Sequence, residues 1–378
     1  MADVRALFPT SYEESRARFR QGLKLVRRCW PSAQLGCHRL SEDEDLTIDW
    51  IQAEGLERNE KLLLLTTGEH GIEAIVGSAV LQLFVEEVLV RLKPESTGLL
   101  LVHVINPWGM KHGRRTNREN VDLNRNFVWD VTSLDQSFNS NYARLDPFLN
   151  PAGPLGDLFL SKLFFLLRLL GSVVFLGMQR FRQAALLGQY RFPRGLYYGG
   201  QALQEETRVL MDLYRNRIRQ YEQVVHLDVH TGYGPRYQMS VVNSWMERRD
   251  SHELKLQFSY PRVVKTDPAE FYSIQGDMVD YVYALVQNEF PDRRLYAASF
   301  EFGALGDSPA AALRSLRAMA LENRMYWFGV KNQAVRERIE RDFQELYAPQ
   351  EERWRAKALA DARQAFQGIL GAEGFLSP

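Results

Sequence analysis

Between residues 61 and 74 the chain reads KLLLLTTGEHGIEA: an unbroken apolar run, a glycine turn, then polar residues leading into helical periodicity. A run that is apolar at every position, rather than at alternate ones, fits a strand covered on both faces. The same grammar recurs down the chain. Leu99–Ile105 stops at Asn106-Pro107, Gln223–Val229 runs into an HTGYG turn, and Arg294–Phe302 stops before Gly303. Leu46–Ala53 adds a roughly alternating strand. Helical patterns lie between, over residues 11–29 with a Ser/Thr cap, from Ile72 to Leu92, from about Leu203 to Arg219, and from about Pro309 onward. Residues 110–155, rich in Asn, Arg and Asp, read as a long ordered loop region. Strands alternating with helices, without repeats or a break in composition, predict one α/β domain with a mostly parallel sheet. Ligands of such sheets gather beyond the carboxyl ends of the strands.

Forty-seven basic and forty-seven acidic residues cancel, so no global field attracts nucleic acid or an anionic membrane, and basic clusters are judged locally. Two cysteines, Cys29 and Cys37, exclude a disulfide framework and lack metal-finger spacing. The first residues show no charged-then-apolar signal pattern, and a reducing, cytoplasmic setting is expected. From Leu158 to Met178 the sequence LFLSKLFFLLRLLGSVVFLGM is long enough to span a bilayer. Arg168 near its middle would cost roughly 2.5–3.5 kcal/mol there. A crossing would also put His70 and His230 on opposite sides. The segment is therefore read as a helix buried in the fold or in a dimer contact. Its alternative is a membrane-surface helix, because residues 158–192 hold five basic residues and no acid.

Four motifs carry chemistry. His70 and Glu73 sit three apart at a strand-to-helix turn, where both can point at one ion about 2.0–2.2 Å away. On its own the pair is also what a loop histidine and a first-turn acid would give. In VVHLDVHTGYG, strand alternation puts His226, Asp228 and His230 on one face. His230, at the strand end, is the better third ligand; His226 lies deeper, where a satisfied core histidine is the commoner outcome, and Asp228 would orient a ligand. Two His and one Glu leave the open position of a catalytic site. In RRTNRENVDLNRNF, Asn124 and Arg125 are set between apolar anchors, and a guanidinium there can clamp a carboxylate. Arg114, Arg115 and Arg118 are each placed to add a donor near a developing oxyanion. Glu301, between Phe300 and Phe302, is a costly carboxylate unless functional or paired, and apolar flanks would raise its pKa toward acid–base use.

The ordered set resembles the zinc carboxypeptidase superfamily, the M14 metallopeptidases, and their relatives among succinylglutamate desuccinylases and aspartoacylases. It is most similar to the DUF2817 branch, with GEHGIEA, DLNRNF, GQYRFPRGLYYGG, DVHTGYG and EFG segments. The resemblance covers about residues 60–305 and implies His70, Glu73 and His230 as ligands of one zinc ion. It also implies Asn124 and Arg125 as binders of a terminal carboxylate, Glu301 as the catalytic glutamate and Arg115 as the oxyanion arginine. The implied fold is an α/β sandwich, a mixed, mostly parallel sheet of about eight strands with helices on both faces. The chain would be a single catalytic domain over 1–378 with an apolar helical insert at about 155–185. The family's substrate-site tyrosine has four candidates here: Tyr197, Tyr198, Tyr233 and Tyr272.

These readings lead to an expected amide hydrolase acting beside a carboxylate, on a peptide's C-terminal end. The rivals are a deacylase of N-acyl amino acids and a non-catalytic zinc-binding interaction protein. No nucleic-acid partner is expected, and the oligomeric state is left open.

Overall fold

A computed structural model describes residues 4–41, 43–266 and 274–377. Its eight strands are β1 (Gln34–Ser41), β2 (Leu46–Ala53), β3 (Lys61–Thr67), β4 (Thr97–Val102), β5 (Gln223–Thr231), β6 (Met239–Asn243), β7 (Val263–Lys265) and β8 (Arg294–Phe302). They form one mixed sheet in the order β1-β2-β4-β3-β5-β8-β6-β7. The four central strands β4, β3, β5 and β8 run parallel to one another, and β2 and β6 flank them antiparallel.

The helices are α1 (Tyr12–Cys29), α2 (Ala74–Leu83), α3 (Pro107–Lys111), α4 (Tyr142–Leu149), α5 (Leu158–Leu176) and α6 (Met178–Leu186). They continue with α7 (Glu205–Ile218), α8 (Ser251–Gln257), α9 (Met278–Glu289), α10 (Pro309–Phe328), α11 (Gln333–Tyr347) and α12 (Glu352–Ala372). Alternation along β3 explains why its run is apolar throughout. Leu63 and Leu65 join a core with Val26 of α1, Val80 of α2 and Phe366 of α12. Leu62 and Leu64 join a second core on the other face, with Leu210 of α7 and Val282 of α9.

Several expectations change. The helix expected from Ile72 to Leu92 is α2 only as far as Leu83; it then widens over Phe84–Val88 and tightens over Leu89–Arg91. β4 begins at Thr97 and leaves the ladder at Val102 rather than Ile105. The stretch expected to be loop from 110 to 155 contains α4. The expectation that residues 158–178 are buried in the fold fails. Only Phe165 and Leu176 of α5 are buried, whereas Phe159, Val174 and Phe175 are 74%, 77% and 73% exposed. Among the described residues α5 is the one helix long and apolar enough to cross a membrane.

Candidate active site

The parallel strands β3, β5 and β8 end side by side and deliver His70, His230 and Glu301 to one place. After Thr67 the chain turns through Gly68 at φ +68°. The turn that follows is pressed against the loop after α3. Gly71 N–H donates to the Arg115 carbonyl at 3.1 Å and Ile72 N–H to the Arg114 carbonyl at 2.9 Å. A Cβ on Gly71 would stand 2.1 Å from the Gly109 carbonyl carbon, so only glycine allows this approach. The clamp fixes the direction in which His70 and Glu73 leave the turn.

His70, Glu73 and His230 are all buried. The two histidines face each other through Nδ1 at 3.3 Å. Glu73 closes the triangle, with Oε1 3.0 Å from Nδ1 of His70 and Oε2 3.4 Å from Nδ1 of His230. Ligands about 2.0–2.1 Å from one tetrahedral ion stand about 3.3–3.4 Å apart, so these donors have a separation suited to a zinc-sized cation. The far nitrogens are also held. Nε2 of His70 meets Asp122 Oδ1 at 3.0 Å, and Nε2 of His230 is in close contact with Asp228 Oδ2. Carboxylates behind imidazoles in this way fix which nitrogen faces the ion.

Glu69, His70 and His230 also offer atoms within 4.8 Å of one another. Glu69, however, approaches His230 at Nε2, 3.4 Å away, on the side already taken by Asp228. Glu73 faces the Nδ1 atoms of both histidines and is the better third donor. Neither Glu69 oxygen has a hydrogen-bond partner among the described residues, and burial holds its carboxyl well above the usual range.

Arg115 links Glu73 to Asp122, the support of His70: Nη1 lies 3.0 Å from Glu73 Oε1 and Nε 3.1 Å from Asp122 Oδ2. Arg114 points elsewhere. It is buried against Glu322 at 2.9 Å and stacks 3.6 Å over the Tyr326 ring, while Arg118 is exposed. Arg125 donates through Nη1 to the Asn124 carbonyl at 2.9 Å and through Nη2 to that of Leu186 at 3.3 Å, and its buried Nε has no partner among the described residues. Asn124 Oδ1 accepts from Met278 N–H at 3.0 Å. His226 is buried, bonds to Thr66 Oγ1 at 2.9 Å, and behaves as a core histidine.

Glu301 lies opposite His230 in the β5–β8 register, and its Oε2 has no hydrogen-bond partner among the described residues. Burial pushes its pKa up to about 8; Glu73 adds to this, and His230 and Arg115 temper it. Burial works against the charged forms of Glu73, Asp122 and His230 as well, yet their partners prevail. Glu73 and Asp122 are held below, and His230 above, their ordinary ranges. Four buried carboxyl groups besides Glu73 (Glu69, Asp122, Asp228, Glu301) thus lie around the two histidines, with Arg115 among them and Arg125 near Asp122. Two imidazole nitrogens and a carboxylate oxygen, with a carboxylate behind each imidazole, make a donor set that suits a zinc-sized cation.

Among the four tyrosine candidates, Tyr197 lies between Arg115 and Arg125, its ring centre 5.9 and 5.7 Å from their guanidinium carbons. Tyr198 accepts from Asp122 N–H at 2.7 Å through its carbonyl. Tyr233 stands at the rim near Glu301, and Tyr272 lies outside the described residues. Three neighbours were not singled out from sequence: Glu69, Asp122 as the shared support of His70 and Arg115, and Tyr347, whose ring lies 5.8 Å from Arg115. The acid adjoining His70 and the aspartate opening the DLNR run were visible as text. Tyr347 comes from α11, outside every motif, and had no local signal.

A family model described as "Protein of unknown function (DUF2817)" matches residues 8–361. No curated protein matches the chain at a significant level. Among solved structures, bovine thrombin-activatable fibrinolysis inhibitor is similar at 14% identity and a TM-score of 0.45, over 85% of this chain and 97% of that one. Carboxypeptidase A from Helicoverpa armigera gives 15% and 0.46, over 94% and 73%. The succinylglutamate desuccinylase from Chromobacterium violaceum gives 15% and 0.35, over 87% and 75%.

Proposed function

The chain belongs to the DUF2817 family, and from that premise we propose that it is a zinc-dependent hydrolase cleaving an amide bond next to a carboxylate-bearing residue. The observation that carries the reading is the triangle of His70, Glu73 and His230 with Glu301 in register beside it. His70, Glu73 and His230 would hold the ion, which when bound supplies Lewis acidity, acidifying water and polarising a carbonyl. Glu301 takes the proton of the attacking water and returns it to the leaving amine; a carboxyl with a raised pKa suits both halves of that exchange. Arg115 steadies the oxygen that gains negative charge. Arg125 and Asn124 hold the substrate carboxylate and so fix the neighbouring amide. In this reading residues 1–378 form one catalytic domain with an apolar insert at about 155–185.

A second reading, a deacylase of N-acyl amino acids, is favoured by how closely Arg125 is covered. It is 4% exposed, walled by Tyr197 and Leu186, and a Cβ on Gly188 would come within 2.8 Å of its side chain. Such a site favours a short substrate. The test is metal analysis of the purified chain, followed by turnover of a library of short peptides and N-acyl amino acids beside a Glu301→Gln control. Stoichiometric zinc with hydrolysis lost in the control is expected, and the preferred half of the library separates the two readings. A chain without bound metal that hydrolyses neither class would overturn both.

A further inference from the structure

Outside the site, the fold leaves the apolar helix α5 uncovered. At about 100° per residue, Phe165, Leu169, Ser172, Val173 and Leu176 fall on one side and are the least exposed. Leu160, Leu163, Leu167, Leu170 and Val174 fall on the opposite side, all exposed. A contiguous apolar stripe of this kind on a folded surface marks an interaction site.

The helix lies flat on the body for its whole length. Arg317 donates to the Leu158 carbonyl at 3.3 Å, and Phe165 packs on Phe148 with ring centres 4.9 Å apart. Arg168 donates to the Pro147 carbonyl at 3.1 Å, and Arg144 stands 5.6 Å over the Phe175 ring. Tethered from first turn to last, α5 is placed to lie along a surface rather than to project through one. Arg168 falls between the body-facing and outward stripes and Lys162 beside Leu169 and Val173 on the body-facing side, and both are exposed. Arg180, Arg182, Arg191 and Arg194 follow, and no acid occurs from Leu158 to Gln204.

We propose that α5 and α6 form a docking surface for an anionic lipid bilayer, with the outward stripe of α5 lying in the plane of the membrane interface. Outward apolar side chains with exposed cations beside and after them, Lys162, Arg168, Arg180 and Arg191 among them, match the acyl boundary and the headgroups in turn. Charge decides against a second copy of the chain. A two-fold contact through this face would set like-charged rims against each other, and residues 158–204 hold no acid to pair with them. The face also adjoins the candidate site: Ile72, next to the Glu73 ligand, shares an apolar cluster with Phe165 and Phe181, and Leu186 at the end of α6 accepts from Arg125. The proposal stands independently of the hydrolase reading, since it needs no turnover.

The test is co-sedimentation of the full chain with vesicles of phosphatidylcholine alone or mixed with phosphatidylglycerol, at low and high salt. The wild-type chain is expected to pellet with the mixed vesicles, weakly with phosphatidylcholine, and less as salt rises. Leu167→Glu with Val174→Glu, both on the exposed stripe, is expected to lower binding by roughly an order of magnitude at unchanged Tm. Lys162→Glu with Arg180→Glu should remove the phosphatidylglycerol preference. Failure to pellet with either vesicle would overturn the proposal, as would equal pelleting of the wild-type chain and the Leu167/Val174 variant. A lipid-free dimer that the Leu167/Val174 variant dissolves, without any vesicle binding, would reassign the face to a second copy and also overturn it.

Discussion

His230 and Glu301 occupy facing positions on neighbouring parallel strands, so the candidate third ligand and the candidate base are one ladder step apart. The backbone of β5 and β8, not a loop, sets their separation. Glu301→Gln keeps the shape of the side chain and removes its capacity to carry a proton. Hydrolysis is expected to fall by roughly 10²–10⁴ while zinc content is unchanged. Retained turnover in the zinc-loaded variant would remove Glu301 from the mechanism.

Asp122 supports two groups at once, His70 Nε2 and Arg115 Nε. Asp122→Asn should weaken zinc binding by roughly 10–100-fold, measured by competition with a chromogenic chelator. An affinity equal to wild type would show that the clamp of the Gly71 turn alone orients His70.

Adjacent arginines should fail differently. Arg114→Ala leaves Glu322 buried without its partner and is expected to cost about 3–5 kcal/mol of stability. Arg114→Met with Glu322→Leu should recover most of it. Arg115→Lys is expected to lower kcat with a smaller change in Tm, because an ammonium cannot bridge Glu73 and Asp122 as the guanidinium fork does. Denaturant melts beside steady-state kinetics separate the two.

Glu206 gives the pH dependence of stability a specific source. Buried, with Asn117 3.3 Å from one oxygen, its carboxyl is pushed up by burial to about 7. The folded state therefore holds a proton that the unfolded chain releases near its ordinary value of 4.5. Stability is lost as pH rises from that value to about 7 and is level above it. Glu206→Gln should leave stability at pH 4 nearly unchanged and raise it by about 3 kcal/mol above pH 7. An unaltered pH profile would assign the dependence to other groups.

The central strands were legible because helices cover both their faces, which forces Leu62–Leu65, Val224–Val229 and Tyr296–Phe300 to be apolar nearly throughout. The strands that went unread, β1, β6 and β7, lie at or near the edges. β1 keeps one face toward solvent and has the mixed sequence QLGCHRLS, and β7 is three residues long. In the site, residue type and order picked out His70, Glu73, His230 and Glu301, because strand ends are where a parallel sheet exposes side chains.

Tertiary structure decided what local pattern cannot encode. It gave Arg115 to Glu73 and Asp122 while burying Arg114 against Glu322 on α10, a choice that depends on where a helix two hundred residues away is packed. It brought in Tyr347 and put Glu69 behind His230. It also left α5 uncovered. Composition fixes that this helix is apolar, but which side of it meets protein depends on how much of the fold is there to receive it, and here α4 and α10 cover only one stripe.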